Sequence, residues 1–160
     1  MSTTIKLIES NSLSYKNLIA LVNKQPAKHL KEVPFGNFEL ELELCDEVYE
    51  YAEQVGHCKC YIVTVDQYYA GYMIIMASEM VHHKGTFQAV TDSFYIREEY
   101  RSLGAFGVLL KFVEEDLRKN NIRFLTVGLN PNMPHYDRMK RLMTCNDEYQ
   151  PTEFSVTKEL

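Results

Sequence analysis

Two periodicities divide this chain. In some stretches apolar and polar residues alternate, as on a strand with one buried face. In others the apolar positions recur every three or four residues, as on a helix. Thr4 to Glu9 alternates, with Ile5 and Leu7 on one face, and predicts a short first strand. Leu18, Ile19, Leu21 and Val22 predict a helix from about Tyr15 to Lys24, capped by Ser12 or Ser14. Pro26, Pro34 and Gly36 make Gln25 to Phe38 loop-rich. From Phe38 to Gln54 the two periods compete. Leu40, Leu42 and Leu44 fit a strand, while Leu40, Leu44, Val48 and Ala52 fit a helix. A helix from about Glu41 to Gln54, ended by Gly56, is the favoured reading.

Strands follow. Cys58 to Val65, Tyr69 to Ser78 and Phe87 to Ile96 read as an antiparallel meander, with turns at Asp66-Gln67 and at His82-His83-Lys84-Gly85. The run Met73-Ile74-Ile75-Met76 predicts burial on both faces. Gly104 to Asn120 is a helix with Phe106, Leu109, Leu110, Val113 and Leu117 on one stripe. Its outer face pairs Glu114 with Arg118 and Glu115 with Lys119. Phe124 to Leu129 is an apolar strand, so strand, helix and strand make a right-handed parallel crossover. A weaker helix spans about His135 to Met143, and Glu153 to Lys158 alternates as an edge strand. The predicted class is α/β (α+β): a mixed sheet, an antiparallel meander followed by a parallel β-α-β unit, with helices on both faces. Ligands favour the point where such a sheet changes direction.

Composition adds exclusions. A length of 160 residues suits one domain, 1–160, and 46% hydrophobic with 24% charged residues is globular rather than disordered. A net charge of -5 disfavours a general grip on nucleic acid, which needs a basic face. The longest apolar runs are far too short to span a bilayer and there is no apolar leader, so no membrane is expected and the cytoplasm is the expected compartment. Cys58-Lys59-Cys60 sets two thiols on one face of a strand, without the paired spacing of a zinc site. These two, with Cys45 and Cys145, are expected as buried or half-buried reduced thiols, with no metal.

The stretch Tyr100 to Leu110 carries the most chemistry. A basic residue, Arg101, and a glycine turn run from a strand directly into the helix. Free backbone N–H groups and the positive end of the helix dipole point the same way there, which suits an anion such as a pyrophosphate. Phe94-Tyr95-Ile96-Arg97-Glu98-Glu99-Tyr100-Arg101-Ser102-Leu103-Gly104-Ala105-Phe106, with Leu109-Leu110 in register, resembles the cofactor motif of the GCN5-related N-acetyltransferases (GNAT). The order of elements is similar to that fold over nearly the whole chain. Asp92 to Ile96 and the ending Glu153 to Leu160 resemble small members encoded by tailed phages, for which the compartment would be the host cytoplasm.

The resemblance implies acetyl-CoA as the acetyl donor and a primary amine, on a small molecule or a protein, as acceptor. The amides from Ser102 through Leu103, Gly104, Ala105 and Phe106 to Gly107 would hold the pyrophosphate, with Arg101 shaping or charging the loop. The strand edge at Phe94, Tyr95 and Ile96 would pair with pantetheine as an added strand does, and an N–H near Tyr95 or Ile96 would polarise the thioester. Two departures stand out. Phe106 occupies the second glycine position, with Gly107 next to it: either a side chain there crowds the pyrophosphate, or the loop shifts by one residue. The late tyrosine of the family falls on Asp137 or Met139, with Tyr136 adjacent, and Asn130 or Asn132 stands for the motif asparagine.

Each candidate has a plain reading beside the functional one. Asp92 shares the strand parity of Val90, Phe94 and Ile96, and is either a general base for the acceptor ammonium, suited to it by burial among hydrophobes, or a hydrogen-bonded structural aspartate. Tyr136 is either the acid that protonates the departing thiolate or a half-buried amphipathic residue. His82 and His83 either border the acceptor site or face water in a turn. The cluster Arg138, Lys140 and Arg141 is a solvated face before it is a phosphate site. Two rivals to the amine acetyltransferase remain at this level: an inactive binding protein of the same fold that acts on a host partner, and an acyltransferase for a modified nucleobase. The exposed final strand offers an edge on which two copies could pair as a homodimer.

Overall fold

A computed structural model of the chain describes residues 6–22, 44–133, 135–145, 148–153, 155, 157 and 158. They fall into two compact units, one of the described residues within 1–25 and 45–128 and one of those within 26–44 and 129–160. In the first unit the order is β1 (Ile8–Leu13), α1 (Tyr15–Val22), α2 (Asp46–Gln54), β2 (Cys58–Val65), β3 (Tyr68–Glu79), β4 (Phe87–Ile96), a 3-10 turn (Glu98–Leu103), α3 (Ala105–Lys119) and β5 (Phe124–Thr126). The five strands lie in sequence order in one sheet. The first four are antiparallel neighbours, and β4 and β5 are parallel. The mixed sheet, its meander and its β-α-β unit are therefore as expected.

Local chemistry explains most boundaries. Asp66 and Gln67 have φ of 50° and 70°, the pair of positive values that a two-residue hairpin between twisted strands requires. Of the two candidate caps of α1, Ser14 is used: its Oγ accepts the Asn17 amide at 3.3 Å and its carbonyl the Leu18 amide at 3.0 Å. Ser12 lies instead in β1, which runs later than the predicted Thr4 to Glu9. The reason is pairing: Ile8 to Leu13 finds the full edge of β2, from Val65 back to Cys60, despite its polar composition. The beginning of the second predicted helix and the loop before it lie outside the described residues, as do Phe154 and Val156. Glu153, Ser155, Thr157 and Lys158 are described and are not in a strand.

Helices cover both faces of the sheet. Cys58, Cys60, Tyr72 and Ile74 form one buried cluster with Tyr15 and Leu18 of α1 and Ala52 of α2. The alternate residues of β2 and β3, Tyr61, Val63, Val65, Met73 and Ile75, are also buried, on the face that receives α3. There Tyr61 meets Phe112 edge-on at 6.1 Å between ring centroids. Leu109, Val113 and Leu117 form the buried stripe of α3, and Arg118 pairs with Glu114 at 3.3 Å on its outer side. Burial of Met73, Ile74 and Ile75 matches the expectation for a strand covered twice.

Between β2 and α3 lies a polar cluster that the sequence does not announce. Asp116 accepts from Lys59 Nζ at 2.9 Å and from the Tyr61 hydroxyl at 2.7 Å. Burial disfavours its charge, yet these two donors outweigh burial and hold the carboxyl below its ordinary value. A carboxyl depressed in the folded state stabilises the fold above its unfolded value, and that contribution fades as pH falls through the folded one. Asp116→Asn is therefore expected to lower the unfolding free energy by about 1–2 kcal/mol at neutral pH. The gap to wild type should close as pH drops below the ordinary carboxyl value of 3.8, in urea melts followed by circular dichroism. A gap that stays constant down to strongly acid pH would mean that the charge of Asp116 is not what matters.

Candidate functional site

The amino end of α3 is built by its own sequence. Gly104 sits at φ 80° and ψ 12°, a left-handed conformation that turns the chain from the 3-10 turn into the helix. No side chain caps this end, and the first intrahelical bond of the turn runs from the Val108 amide to the Gly104 carbonyl at 3.2 Å. The amides of Ala105, Phe106 and Gly107 precede that bond, so the helix itself offers them no acceptor. A Cβ built on Gly107 would meet nothing else within 4 Å, so the space beside this residue is open. Phe106 does not enter that space. It is 8% exposed and packs on Phe94, with ring centroids 5.4 Å apart. Its side chain is turned to the core, as a helical residue allows while its amide faces the turn. Ala105 is buried as well, while Ser102 is exposed and Leu103 half-buried.

Arg101 shapes the loop. Its Nε donates to the Ile96 carbonyl at 2.8 Å, and its guanidinium lies 5.6 Å from the centre of the Tyr95 ring. The end of β4 is pinned from the other side too. A Cβ on Gly71 would come within 2.3 Å of the Tyr95 carbonyl oxygen, so only glycine lets β3 approach β4 this closely there.

The second feature is a wedge between β4 and β5. Their parallel pairing covers only Gln88 with Phe124, Ala89 with Leu125 and Val90 with Thr126. The predicted strand to Leu129 stops at Thr126, and Phe124 is 47% exposed. β4 continues to Ile96, paired with β3 alone among the described strands. The cause is a bulge. Ile75 pairs with Thr91 and Ile74 with Ser93, which leaves Asp92 as the extra residue. A bulge flips the parity of every later side chain. Val90 and Asp92 face α1 and α2, and so does Ser93, whereas Phe94 turns to α3 and Phe106. Asp92 thus does not share a face with Phe94 and Ile96. It is also exposed, not buried among hydrophobes.

Asp92 has a defined partner. The Tyr49 hydroxyl of α2 donates to its Oδ2 at 2.9 Å. Burial first, and then this bond to a carboxylate, push the Tyr49 phenol well above its ordinary value, so it stays a donor. Tyr49 is in turn stacked on Tyr15 at 4.6 Å, and the Tyr15 hydroxyl donates to Asp46 Oδ1 at 2.7 Å. A carboxylate has about four lone-pair sites, and a single phenol leaves room for another donor. No local motif in the sequence marks Tyr49. Its spacing on α2 gives no hint of a bond to a strand residue 43 positions away.

Other candidates fall elsewhere. His82 and His83 are exposed in the β3–β4 turn, held by the Thr86 amide donating to the His83 carbonyl at 2.9 Å. That turn is at the start of β4 and the glycine turn is past its end, about 30 Å away at roughly 3.3 Å per strand residue. The histidines are thus well apart from the cofactor turn; the place expected for them is beside the acceptor. Asn132 and Tyr136 belong to the second unit. There the Asn132 amide donates to Asn130 Oδ1 at 2.9 Å, and half-buried Tyr136 opens α4 (Tyr136–Thr144) with Lys140 Nζ 6.0 Å from its ring centre. Cys58 and Cys60 are buried free thiols as expected, but Cys45 and Cys145 are exposed. Among the described residues no group of three or more His, Cys, Asp or Glu side chains could hold a metal ion, and no helix is long and apolar enough to cross a membrane.

No family model matches the sequence, and no curated protein matches it. Solved structures do match in shape. The chain is similar to the ribosomal-protein-alanine N-acetyltransferase of Brucella melitensis biovar Abortus 2308, with 13% identity, 96% of this chain and 98% of that one covered, and a TM-score of 0.65. An aminoglycoside acetyltransferase from an uncultured soil metagenomic sample, in complex with sisomicin, matches at 11% identity over 95% of this chain and 97% of its own, with a TM-score of 0.65. A predicted acetyltransferase from Clostridium acetobutylicum with acetyl-CoA matches at 11% identity over 96% of each chain, with a TM-score of 0.64. The mixed sheet thus has the fold of these acetyltransferases.

Proposed function

We propose that this protein is an acetyl-CoA-dependent N-acetyltransferase that passes the acetyl group directly to a primary amine. The observation that carries the reading is the joining, by one strand, of an uncapped helix turn to a wedge. β4 opens away from β5 after Val90 and leads through the Arg101-braced turn to the open amides at Ala105 to Gly107. Those amides suit a pyrophosphate, and the unpaired side of β4 suits the amide groups of a pantetheine arm. The acetyl-CoA of the Clostridium acetobutylicum neighbour gives the same ligand class independently.

In this reading each residue has a task. The turn from Ser102 to Gly107 binds the pyrophosphate, and Phe94, Tyr95 and Ile96 align pantetheine. A backbone N–H near Tyr95 or Ile96 polarises the thioester carbonyl. Asp92, held by Tyr49, takes the proton from the acceptor ammonium, directly or through water. The amine then attacks the carbonyl carbon and a C–N bond forms; as the C–S bond breaks, the nitrogen releases its second proton to the site and the thiolate accepts a proton. Tyr136 is assigned that proton, and Asn132 a cofactor contact, on the sequence alone. The acceptor is an amine on a small molecule or a protein. The sisomicin of the metagenomic neighbour and the net charge of -5 both favour a cationic one.

Calorimetric titration with acetyl-CoA tests the reading. Binding with a dissociation constant on the order of micromolar is expected, in the usual range for enzyme substrates. A folded protein that shows no heat of binding at millimolar acetyl-CoA would overturn it.

A further inference from the structure

Thr91 is the polar residue found buried, at 8% exposure, among the described residues of this sheet. It sits immediately before the bulge and one position past the last parallel pair, Val90 with Thr126. Its Oγ1 accepts the Gly128 amide at 2.8 Å. In an unbroken parallel ladder that amide would find a backbone carbonyl of the neighbouring strand. Here the bulge removes the ladder, and a side-chain hydroxyl takes the place of the next rung. A hydroxyl standing off its backbone holds the two chains farther apart than a carbonyl does. A Cβ on Gly128 would lie 3.6 Å from the same oxygen and 4.0 Å from the Thr91 carbonyl oxygen, so the chain just past β5 lies against β4 at this residue.

We propose that Thr91 is a positioning residue that sets the width of the β4–β5 wedge, and so the fit of the pantetheine arm within it. The inference rests on the acetyl-CoA reading above but concerns a residue that touches no substrate. It acts through Gly128. A valine at position 91 keeps the shape and loses the acceptor; a serine keeps the acceptor and loses one methyl group.

Three proteins decide it: wild type, Thr91→Val and Thr91→Ser, each checked by thermal unfolding. Two readouts are taken, acetyl-CoA affinity by calorimetry and amide exchange at Gly128 by NMR without ligand. Thr91→Val is expected to weaken acetyl-CoA binding about tenfold and to speed Gly128 exchange by at least tenfold, while Thr91→Ser stays within about twofold of wild type in both. If Thr91→Val binds acetyl-CoA as wild type does, or if Thr91→Ser loses as much affinity as Thr91→Val, the positioning role is overturned and Thr91 is only a packing residue. If Thr91→Val does not fold, a Thr91→Ser that exchanges Gly128 slowly and binds normally supports the role, and one that binds about tenfold more weakly despite slow exchange overturns it. Wild type that binds no acetyl-CoA at all sinks the acetyltransferase reading itself, a result distinct from any difference among the variants.

Discussion

Replacing Gly107 with leucine is expected to weaken acetyl-CoA binding at least about a hundredfold and leave the fold at least as stable. Gly107 lies in the first turn of α3, exposed, with helical backbone and with nothing within 4 Å of a Cβ built on it. Glycine inside a helix costs roughly 0.5–1 kcal/mol relative to alanine, and leucine is nearly as good a helix former as alanine. The unfolding midpoint should therefore hold or rise by a few degrees, about what 1 kcal/mol gives in a domain of this size. Side chains on a helix lean toward its amino end. A leucine at position 107 thus leans over the amides of Ala105 and Phe106, where the phosphate oxygens would need to approach to about 2.7–3.2 Å. An affinity loss of at least about a hundredfold, close to 2.7 kcal/mol, is expected in calorimetry. A folded Gly107→Leu protein that binds acetyl-CoA like wild type would show that the pyrophosphate is held elsewhere. Gly104 is the poorer probe, although the motif draws the eye to it. Its φ of 80° makes any side chain cost about 1–2 kcal/mol in the backbone alone, so lost binding there would be confounded with lost structure.

That contrast shows where the sequence was legible and where it was not. The helix stripe of Phe106, Leu109, Val113 and Leu117, the turn at Asp66-Gln67 and the three-stranded meander each rest on local signals, and the structure repeats them. The glycine turn was legible too, because positive φ has a residue preference. The bulge at Asp92 was not. Ala89 to Ile96 contains no glycine to mark it, and the bulge depends on which residues of β3 the strand meets. From that one irregularity come the reversed facing of Phe94 and Ile96, the exposure of Asp92, the short β5 and the use of Thr91 as a rung. Likewise, the burial of Phe106 depends on Phe94 lying opposite, a tertiary fact that a motif template reads as a clash. Polar partnerships between distant elements, Tyr49 with Asp92 and Lys59 with Asp116, leave no periodic trace at all.

Asp92→Asn is the companion experiment, expected to slow turnover while sparing the cofactor. The acceptor amine is protonated at neutral pH, and an ammonium has no lone pair with which to attack a thioester. Some group must take its proton, and general-base assistance by a placed side chain is worth roughly 10²–10⁴ in rate. Asp92 is the carboxylate at the bulge, exposed toward α1 and α2 and fixed in direction by Tyr49. Asparagine keeps an oxygen that can accept the Tyr49 bond, so packing against α2 survives, but it cannot hold the proton. We expect kcat to fall about a hundredfold or more, with the acetyl-CoA dissociation constant within about twofold of wild type, in a thiol-release assay on an amine that the wild type acetylates. Tyr49→Phe leaves the carboxylate and removes only its anchor, so its kcat should fall by less, about threefold to tenfold. The order matters more than either number. If Tyr49→Phe is as slow as Asp92→Asn, the pair acts through the placement of α2 and not through a proton. If Asp92→Asn turns over like wild type, bulk water takes the proton and Asp92 is a structural residue of the bulge.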